Sequence, residues 1–536
     1  MSESLTDFDP AARWAAPDAE PLVGEDLRAL LHGAFALDPD VAAAGSPADV
    51  VLAVAPSALA DDARAALEAA AGGHEHVVVD DAARAAHANG MSYLDLVRRT
   101  ADPPAAPDAV VLPGDHDEVA AVLRACSAHG VAVVPFGGGT SVVGGVAPGR
   151  GDFSAVIALD LRRLDALSAV DDVSRTATLQ AGVTGPRAEE LLGAHGFTLG
   201  HVPQSFERAT IGGYAATRSA GQLSTGWGRF DALVERVRVA TPAGDLDLGR
   251  APGTAAGPDL RQLVLGSEGT LGVITEVTVR VRPIPEICRH EGWRVPDLAT
   301  GVTLLRALAQ RGPTPDLARL SDETETALGV ATGGAGEDGT GGCLLLCGWE
   351  GAADDVGHRA AATHALLDAA GAQPLGEDAA ASWRHGRFRA PRLRDEQLRT
   401  GLLVETLETA TTWSSLLALH TAVGDALRDA LAGASPVVAC HVSHLYASGA
   451  SLYFTVLGRR DREDPVGQWT RAKAAVMETL AASGATLTHH HAVGADHAPW
   501  MAAEVGELGV DVLRAVKARL DPAGILNPGK LLPPAA

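Results

Sequence analysis

A run of strand-like apolar residues that ends in glycine constrains this chain more than any other stretch. Residues 133–145 read VVPFGGGTSVVGG. Glycine weakens a strand, and three in succession mark a turn or a place where backbone comes close to something else. Two phosphate-binding patterns fail here. A dinucleotide fingerprint needs G-x-G-x-x-G, but from Gly137 the chain runs G-G-G-T-S-V, and the third glycine is missing. A Walker loop needs Gly-Lys-Ser/Thr, and no lysine stands nearby. Two readings stay open on this stretch alone. One is a plain turn; the other is a strand end whose successive amides, with the hydroxyls of Thr140 and Ser141, form a nest for a pyrophosphate.

Two later stretches favour the nest. HVPQSFERATIGGYAATRSAGQLSTGWGRF (201–230) and GSEGTLGVITEVTVRV (266–281) repeat the mixture of glycine, small hydroxyls and arginine before a strand. Loops of such length are uncommon in compact domains unless they bind something. Around them the chain divides, because 536 residues exceed a single core. The first hundred residues carry helical stretches and one short apolar strand, HVVVD, and TADPPAAPDAV (100–110) reads as a linker whose prolines prevent a helix. AVVLP, HDEVAAVLRACSAHG and VAVVPF form a strand–helix–strand unit, with Gly130 ending the helix. FSAVIALDL, ATLQAG, VERVRVATPAG and GVITEVTVRVRP predict a largely antiparallel sheet, interrupted by the helix GPRAEELLGAHG. Beyond them, helices such as GVTLLRALAQRG alternate with strands such as GCLLLCGWEG and ASLYFTVLG. GVATGGAGEDGTGG (329–342) reads as a mobile loop, and a last helix, MAAEVGELGVDVLRAVKARL, precedes DPAGILNPGK.

The net charge of −24, from 67 acidic against 43 basic residues, excludes nucleic acid as a partner and demands a local basic pocket for any anionic ligand. No apolar run approaches the length of a membrane span. The acidic start MSESLTDFDP and the ending KLLPPAA predict no leader, no peroxisomal tripeptide and a cytoplasmic location. Five cysteines without zinc-site spacing predict buried, reduced thiols.

The three loops in this order resemble the flavin-binding domain of the vanillyl-alcohol oxidase / p-cresol methylhydroxylase superfamily. The resemblance implies FAD, held by Pro135, Phe136, Gly137, Gly138, Gly139, Thr140 and Ser141 at its pyrophosphate. PQSFERA adds Pro203, Gln204, Ser205, Phe206, Glu207, Arg208 and Ala209, and ATRS adds Ala216, Thr217, Arg218 and Ser219. GSEGTLG adds Gly266, Ser267, Glu268, Gly269, Thr270, Leu271 and Gly272. Thr140 and Ser141 stand where relatives that tether the flavin present a histidine, so the resemblance implies non-covalent FAD. It also implies an α+β fold: a two-part PCMH-type FAD-binding domain and an α/β cap domain of antiparallel sheet and helices. The expected divisions are a helical region over 1–102, the FAD domain over 103–284, the cap over 285–500, and a segment over 501–536 returning to the FAD domain.

Within that superfamily, FRAPRLRD (388–395), ETLETATTW (405–413), ACHVSHLYASGASLYFTV (439–456) and THHHAVGADHAPW (488–500) resemble the alkyldihydroxyacetonephosphate synthase family. That family exchanges the acyl group of acyl-dihydroxyacetone phosphate for a long-chain alkoxy group in ether-lipid synthesis. The resemblance implies no net redox change, with the flavin anchoring the substrate through N5. It assigns phosphate binding to Arg394, acid/base work to Tyr453, activation of the alcohol to one of His489, His490 and His491, and a role in activity to Arg319. A small-molecule or lipid-phosphate substrate, a peripheral membrane contact and a homodimer are expected of such an enzyme. Bland readings stand beside these. RAPRLRDEQLR fits a solvated helix face, and Tyr453, between Leu452 and Phe454, fits a core tyrosine. On a regular strand His489 and His491 would oppose His490, so no metal site is expected. His441 and His444 fit either metal ligation in a hydroxy-acid enzyme or a satisfied core. The alternative activity is an FAD-linked oxidase or dehydrogenase of a 2-hydroxy acid or alcohol, but its Gly-Asp-Gly-Asn core is missing from 439–456. Two further departures from the synthase pattern are His441, where an arginine is usual, and a short, glycine-rich stretch after Arg319.

Overall fold

The computed structural model describes residues 21–37, 54–98, 105–312, 314–331 and 341–534. The N-terminal MSESLTDFDP, part of the expected linker (99–104) and most of the expected glycine-rich loop (332–340) lie outside the described residues.

The apolar runs nearest the glycine stretch build a four-stranded sheet from β1 (Val77–Val78), β2 (Ala109–Val111), β3 (Val131–Phe136) and β4 (Ala155–Asp160), in the order β1-β2-β4-β3. β2, β4 and β3 run parallel and β1 pairs antiparallel with β2. Their side chains are buried on both faces, which is why these strands read as continuous rather than alternating apolar runs. The crossover helix His116–His129 starts where the Asp115 side chain accepts the Glu118 amide and stops where Gly130 takes φ +62°. The free edge of β3 is closed from far along the chain. The Val133 amide donates to the carbonyl of Ile525 and the Asn527 amide to that of Val133, each at 2.8 Å. Asp521 accepts the amides of Ile525 and Leu526 and so shapes the segment DPAGILN for that docking.

The alternating stretches that follow give β5 (Leu167–Asp171), β6 (Thr176–Gln180), β7 (Phe197–Thr198), β8 (Val234–Thr241), β9 (Gly244–Leu248), β10 (Val273–Arg280) and β11 (Arg282–Pro283). β7 pairs with β11, and the others form an antiparallel sheet in the order β5-β6-β10-β8-β9.

The cap is a seven-stranded antiparallel sheet of β12 (Ile287–Val295), β13 (Leu317–Ser321), β14 (Cys343–Gly351), β15 (Gln373–Leu375), β16 (Leu402–Thr412), β17 (Val437–Leu445) and β18 (Gly449–Arg459), ordered β15-β12-β14-β13-β17-β18-β16. One face packs on the helices Leu298–Arg311, Ala353–Ala369, Leu416–Ala430 and Pro465–Ser483. Cys440 and Val442 of β17, and Leu452, Phe454 and Val456 of β18, point into that core. The opposite face looks toward the FAD-binding half. The helix Glu25–Phe35 joins the same core through Leu31 and Phe35, so the N-terminal region leans on the cap.

Two expectations are corrected. The terminal helix Met501–Leu520 is broken at Gly506, whose φ of 75° is left-handed and permissive only for glycine. Cys288 is exposed while Cys126, Cys343, Cys347 and Cys440 are buried, because Cys288 lies at the solvent-facing start of β12. All five are free thiols.

Ile525 is fully buried against the parallel sheet. Ile525→Ala is expected to lower the unfolding free energy by about 2–5 kcal/mol, read from urea denaturation. An unchanged midpoint would show that the terminal segment is not part of the cooperative core.

Candidate active site

A cavity of about 610 Å³ lies between the FAD-binding half and the exposed face of the cap sheet. At one end its wall is Pro135 to Ser141, met by Pro203, Gln204, Ser205, Ala209, Ala216, Thr217 and Ser219, and by Glu268, Gly269 and Gly272. Among the described residues the amides of Gly138, Gly139 and Thr140 donate to no protein acceptor, which leaves a row of donors for an anion. The glycines are needed on their other side as well. A Cβ at Gly138 would collide with the carbonyl oxygen of Arg208, and one at Gly137 with the Thr210 hydroxyl. The loop is thin because a second loop packs against its back, and an extended diphosphate-bearing cofactor fits the groove in front.

The remaining predicted cofactor residues sit off the cavity wall, and several hold it up. Arg218 caps the helix Ile211–Thr217 with φ +50°, and its guanidinium donates to the carbonyls of Leu265 and Gln262. It therefore carries the GSEGTLG loop, and Gly266 leans on its side chain. Thr270 donates to the Ser267 carbonyl inside that loop. Phe206 stacks on Phe388 of the cap at 5.8 Å, and Gln204 donates to the Arg387 carbonyl, so PQSFERA is partly a junction with the cap. Glu207 is exposed, and Arg208 and Leu271 contribute backbone or packing rather than wall.

Strand alternation builds the other end. Ala439, His441 and Ser443 of β17, Tyr453, Thr455 and Leu457 of β18, and Val404 and Thr406 of β16 line the cavity, while Cys440, Val442, Phe454 and Val456 between them fill the cap core. Tyr453 is thus a wall residue and not a core tyrosine. Burial pushes its phenol up to about 12, so it is protonated at neutral pH. His441 lies opposite Tyr453 in the ladder and stacks on it at 4.8 Å. An Arg319 N–H donates to His441 Nε2 at 3.0 Å, so Nδ1 carries the proton and donates to Glu325 at 2.9 Å. Arg319 also pairs with Glu325 at 2.9 Å, and the three groups form a closed set behind the tyrosine. Burial and the Arg319 charge lower the His441 imidazole, in agreement with this neutral tautomer.

Arg394 is not on a solvated face. It is 8 % exposed on the helix Ala390–Leu398, 3.3 Å from Asp395 and 3.8 Å from Glu405, and its Nε is buried without a partner. A buried guanidinium with an unused donor on a cavity wall is a site for an anionic group. Beyond it the wall turns apolar, with Leu27, Leu30, Leu31, Leu328, Leu393 and Trp383.

The histidine triplet departs from expectation. It lies in a bend outside the strands, so its side chains do not alternate. His490 and His491 line the cavity, while His489 turns behind them. The Nδ1 atoms of His489 and His490 are 2.9 Å apart, and the Tyr446 hydroxyl meets His489 Nε2 at 2.5 Å. Ring nitrogens of His444, His489 and His490 lie within 4.8 Å of one another, a spacing compatible with a metal, so the strand argument against one fails. Both ring nitrogens of His489 are engaged, one with the Tyr446 hydroxyl and one with His490. Burial pulls His489 and His491 down to about 3, so both rings are neutral at working pH.

Two buried carboxylates were invisible to sequence reasoning in these roles. Glu408 accepts the amides of His489, His490 and His491. Glu268, already expected to face the cofactor, accepts the amides of Val493 and Gly494 at 2.8 and 2.7 Å and so ties its loop to the segment after the triplet. Burial lifts Glu268 to about 7.

Comparisons with known proteins agree with this arrangement. A family model described as FAD binding domain matches residues 107–247, and one described as FAD linked oxidases, C-terminal domain, matches residues 266–531. An alkyldihydroxyacetonephosphate synthase of Trypanosoma brucei brucei is 34% identical over 487 residues, which span 86% of this chain and 79% of that protein. A solved structure of an alkyldihydroxyacetonephosphate synthase has a TM-score of 0.76 at 28% identity, covering 90% of this chain and 88% of that one. The structure of p-cresol methylhydroxylase with substrate bound shares the fold, with a TM-score of 0.70 at 16% identity over 90% of this chain and 99% of that one.

Gly138→Ala is expected to yield folded protein that purifies without FAD, because the new methyl displaces the loop from its Arg208 support. The flavin absorbance per protein chain measures this, and full occupancy would rule out the close-packing account of the glycines.

Proposed function

The chain belongs to the alkyldihydroxyacetonephosphate synthase family of FAD-linked enzymes, and on that premise we propose that it exchanges the acyl group of acyl-dihydroxyacetone phosphate for a long-chain alkoxy group. The observation that carries the reading is Arg394, a buried guanidinium with a free donor, set between a ring of proton-handling side chains and an apolar end of the same cavity. A phosphate dianion joined to a fatty chain needs both surroundings within one cavity.

In this reading Arg394 takes the phosphate and orients the ketone toward Tyr453. The bond between the ester oxygen and the dihydroxyacetone carbon breaks, the acyl group leaves as a carboxylate, and the Tyr453 hydroxyl is placed to donate a hydrogen bond to it as it departs. The alcohol gives up its proton as its oxygen bonds to the same carbon. Neutral His491, on the cavity wall, has the lone pair to receive that proton. The proton taken from the alcohol is then released beside the carboxylate, so atoms and charge balance without an external oxidant. When bound, FAD supplies a ring able to share an electron pair with the ketone-activated carbon. Thr140 and Ser141 at the pyrophosphate loop support non-covalent attachment. Arg319 and His441, held by Glu325, fix the plane of the Tyr453 ring from behind. Cytosolic enzyme meeting a lipid substrate would collect it by peripheral contact; no helix among the described residues is long and apolar enough to cross a membrane.

Anaerobic incubation of the yellow protein with acyl-dihydroxyacetone phosphate and a long-chain alcohol is expected to give the alkyl ether with the flavin still oxidised at the end. Absence of ether, with bleaching of the flavin by hydroxy acids, would replace this reading by the oxidoreductase one. Tyr453→Phe is expected to lower kcat by about 10²–10⁴-fold while FAD stays bound. Arg394→Ala is expected to raise KM for the phosphorylated substrate by about 10- to 100-fold, as loss of a charged hydrogen bond does. Retained turnover in the first variant, or an unchanged KM in the second, would remove that residue from its role.

A further inference from the structure

Glu408 is buried to 2 % exposure at the centre of the site, yet none of the roles assigned above uses it. It sits on β16 directly opposite Tyr453 of β18, which in turn faces His441 of β17. Glu408, Tyr453 and His441 therefore form one row across three adjacent strands, on the cavity face of the sheet. From that row the carboxylate reaches across to a different part of the chain. It accepts the Thr488 hydroxyl at 2.5 Å and the amides of His489 at 2.6 Å, His490 at 3.2 Å and His491 at 2.9 Å. Four donors from four consecutive residues converge on one carboxylate. That convergence is what bends 488–491 out of strand geometry, since an extended chain would point alternate amides in opposite directions.

We propose that Glu408 is the positioning residue of the active site: it folds the histidine turn around its carboxylate and locks the imidazoles in register with Tyr453. This rests on the reading of Tyr453 and the triplet as the proton-handling groups. The geometry is specific about what is positioned. His490 Nδ1 lies 3.4 Å from the carboxylate and 2.9 Å from His489 Nδ1, and the rings of His490 and His491 lie 6.0 and 5.4 Å from that of Tyr453. An anchor one bond shorter would move all three rings together.

The anchor also carries charge. The groups facing it are Tyr453 and His444 from the sheet, Tyr446 beyond β17, the triplet itself and His497; His441 lies one strand further on, and Lys473 and Asp496, from the helix Pro465–Ser483 and the loop after it, flank His491 and His497. Arg229 approaches from the FAD-binding half. The cations are already engaged: Lys473 with Asp496 at 2.9 Å, Arg229 with Asp231 and the His489 carbonyl, and Arg394 with Asp395 and Glu405. The Thr488 hydroxyl and the amides of 489–491 are left as the donors to the Glu408 carboxylate, with the imidazoles around them. Although burial works against that charge, His490 and its neighbours hold the carboxyl well below the usual range. Removing it must make His489 and His491 harder to protonate, since the Glu408 charge favours their protonated forms.

Two variants separate position from charge, each tested with FAD bound. Glu408→Gln keeps the shape and removes the charge; Glu408→Asp keeps the charge and withdraws it by one methylene. Glu408→Gln is expected to lose about 30-fold or more in kcat with KM changed less than threefold, and to shift the acidic limb of the kcat profile toward lower pH. Glu408→Asp is expected to lose kcat with that limb unmoved, and it serves alone if the glutamine variant does not fold. A structural filler would lower both yield and flavin content without splitting kcat from KM or moving the limb. A substrate-free arm keeps failure of the proposed reaction apart from failure of this proposal. Diethylpyrocarbonate reacts with neutral imidazole, and its rate at His489 and His491, mapped by mass spectrometry against pH, is expected to reach half-maximum at lower pH in Glu408→Gln than in the natural protein. Unchanged labelling together with kcat within threefold of the natural protein would overturn the proposal. If the natural protein makes no ether, the proposed reaction falls, and the labelling alone decides for or against Glu408.

Discussion

The two-residue period of three neighbouring strands is the constraint on which the rest of the site depends. β17, β18 and β16 each present one face to a helix-covered core and the other to the cavity, so every catalytic candidate on them is placed by parity. A slip of one residue in β18 would send Tyr453 into the core and bring Leu452 and Phe454 to the cavity wall. The core side guards against that slip, because Leu452, Phe454 and Val456 are almost wholly buried. The close turn adds a second guard. A side chain at Gly449 would meet the Thr411 carbonyl, and the β17–β18 register shifts between Val442 and Leu445 as the turn is reached. Chemistry on one face is thus held in place by hydrophobic packing on the other.

Across the cavity, order comes from buried polar groups rather than from apolar packing. Arg218, Glu268 and Asn527 each tie two distant stretches of backbone together: 218 to 262–265, 268 to 493–494, and 527 to 145 and 268. Such groups are costly to bury unless satisfied, and here the Arg218 and Asn527 donors and both Glu268 oxygens go to main-chain partners, while Asn527 Oδ1 has none among the described residues. Glu268 and Asn527 do this from left-handed backbone conformations, at φ +53° and +42°. The loops around the cofactor groove are therefore stiff despite their glycine content.

Much of this was legible in the sequence, and the parts that were not share a cause. The glycine stretch is read from its own residues, while the PCMH-type fold and the importance of Arg394 and Tyr453 come from the resemblance, beside readings of a solvated face and a core tyrosine that the cavity wall now replaces. The bend at His489–His491 did not follow, because its cause is a carboxylate some eighty residues earlier. Arg218 and Phe206 lie within motifs that face the cofactor, yet their side chains turn away to support a loop or meet the cap, and motif membership does not carry side-chain direction. The neutral state of His441 needed both partners, Arg319 and Glu325, which sit on other elements. The break at Gly506 was signalled by a glycine within a helical pattern, which on its own costs stability without dictating a kink.

The docking of Ile525–Asn527 on β3 also has a consequence for the order of events in biosynthesis. The nucleotide-binding sheet begins with β1 at residue 77, but its last edge is covered only by residues made some four hundred and fifty positions later, after the whole cap. Domains generally fold as they leave the ribosome, N-terminal parts first, and this one has to wait with the outer edge of β3 unpaired. A chain interrupted anywhere within the cap would expose that edge and lack Asn527, which fastens the backbone of both glycine-rich loops. Yellow colour in a cell extract would then count finished chains, and unfinished ones would be left colourless and prone to pair through the open strand.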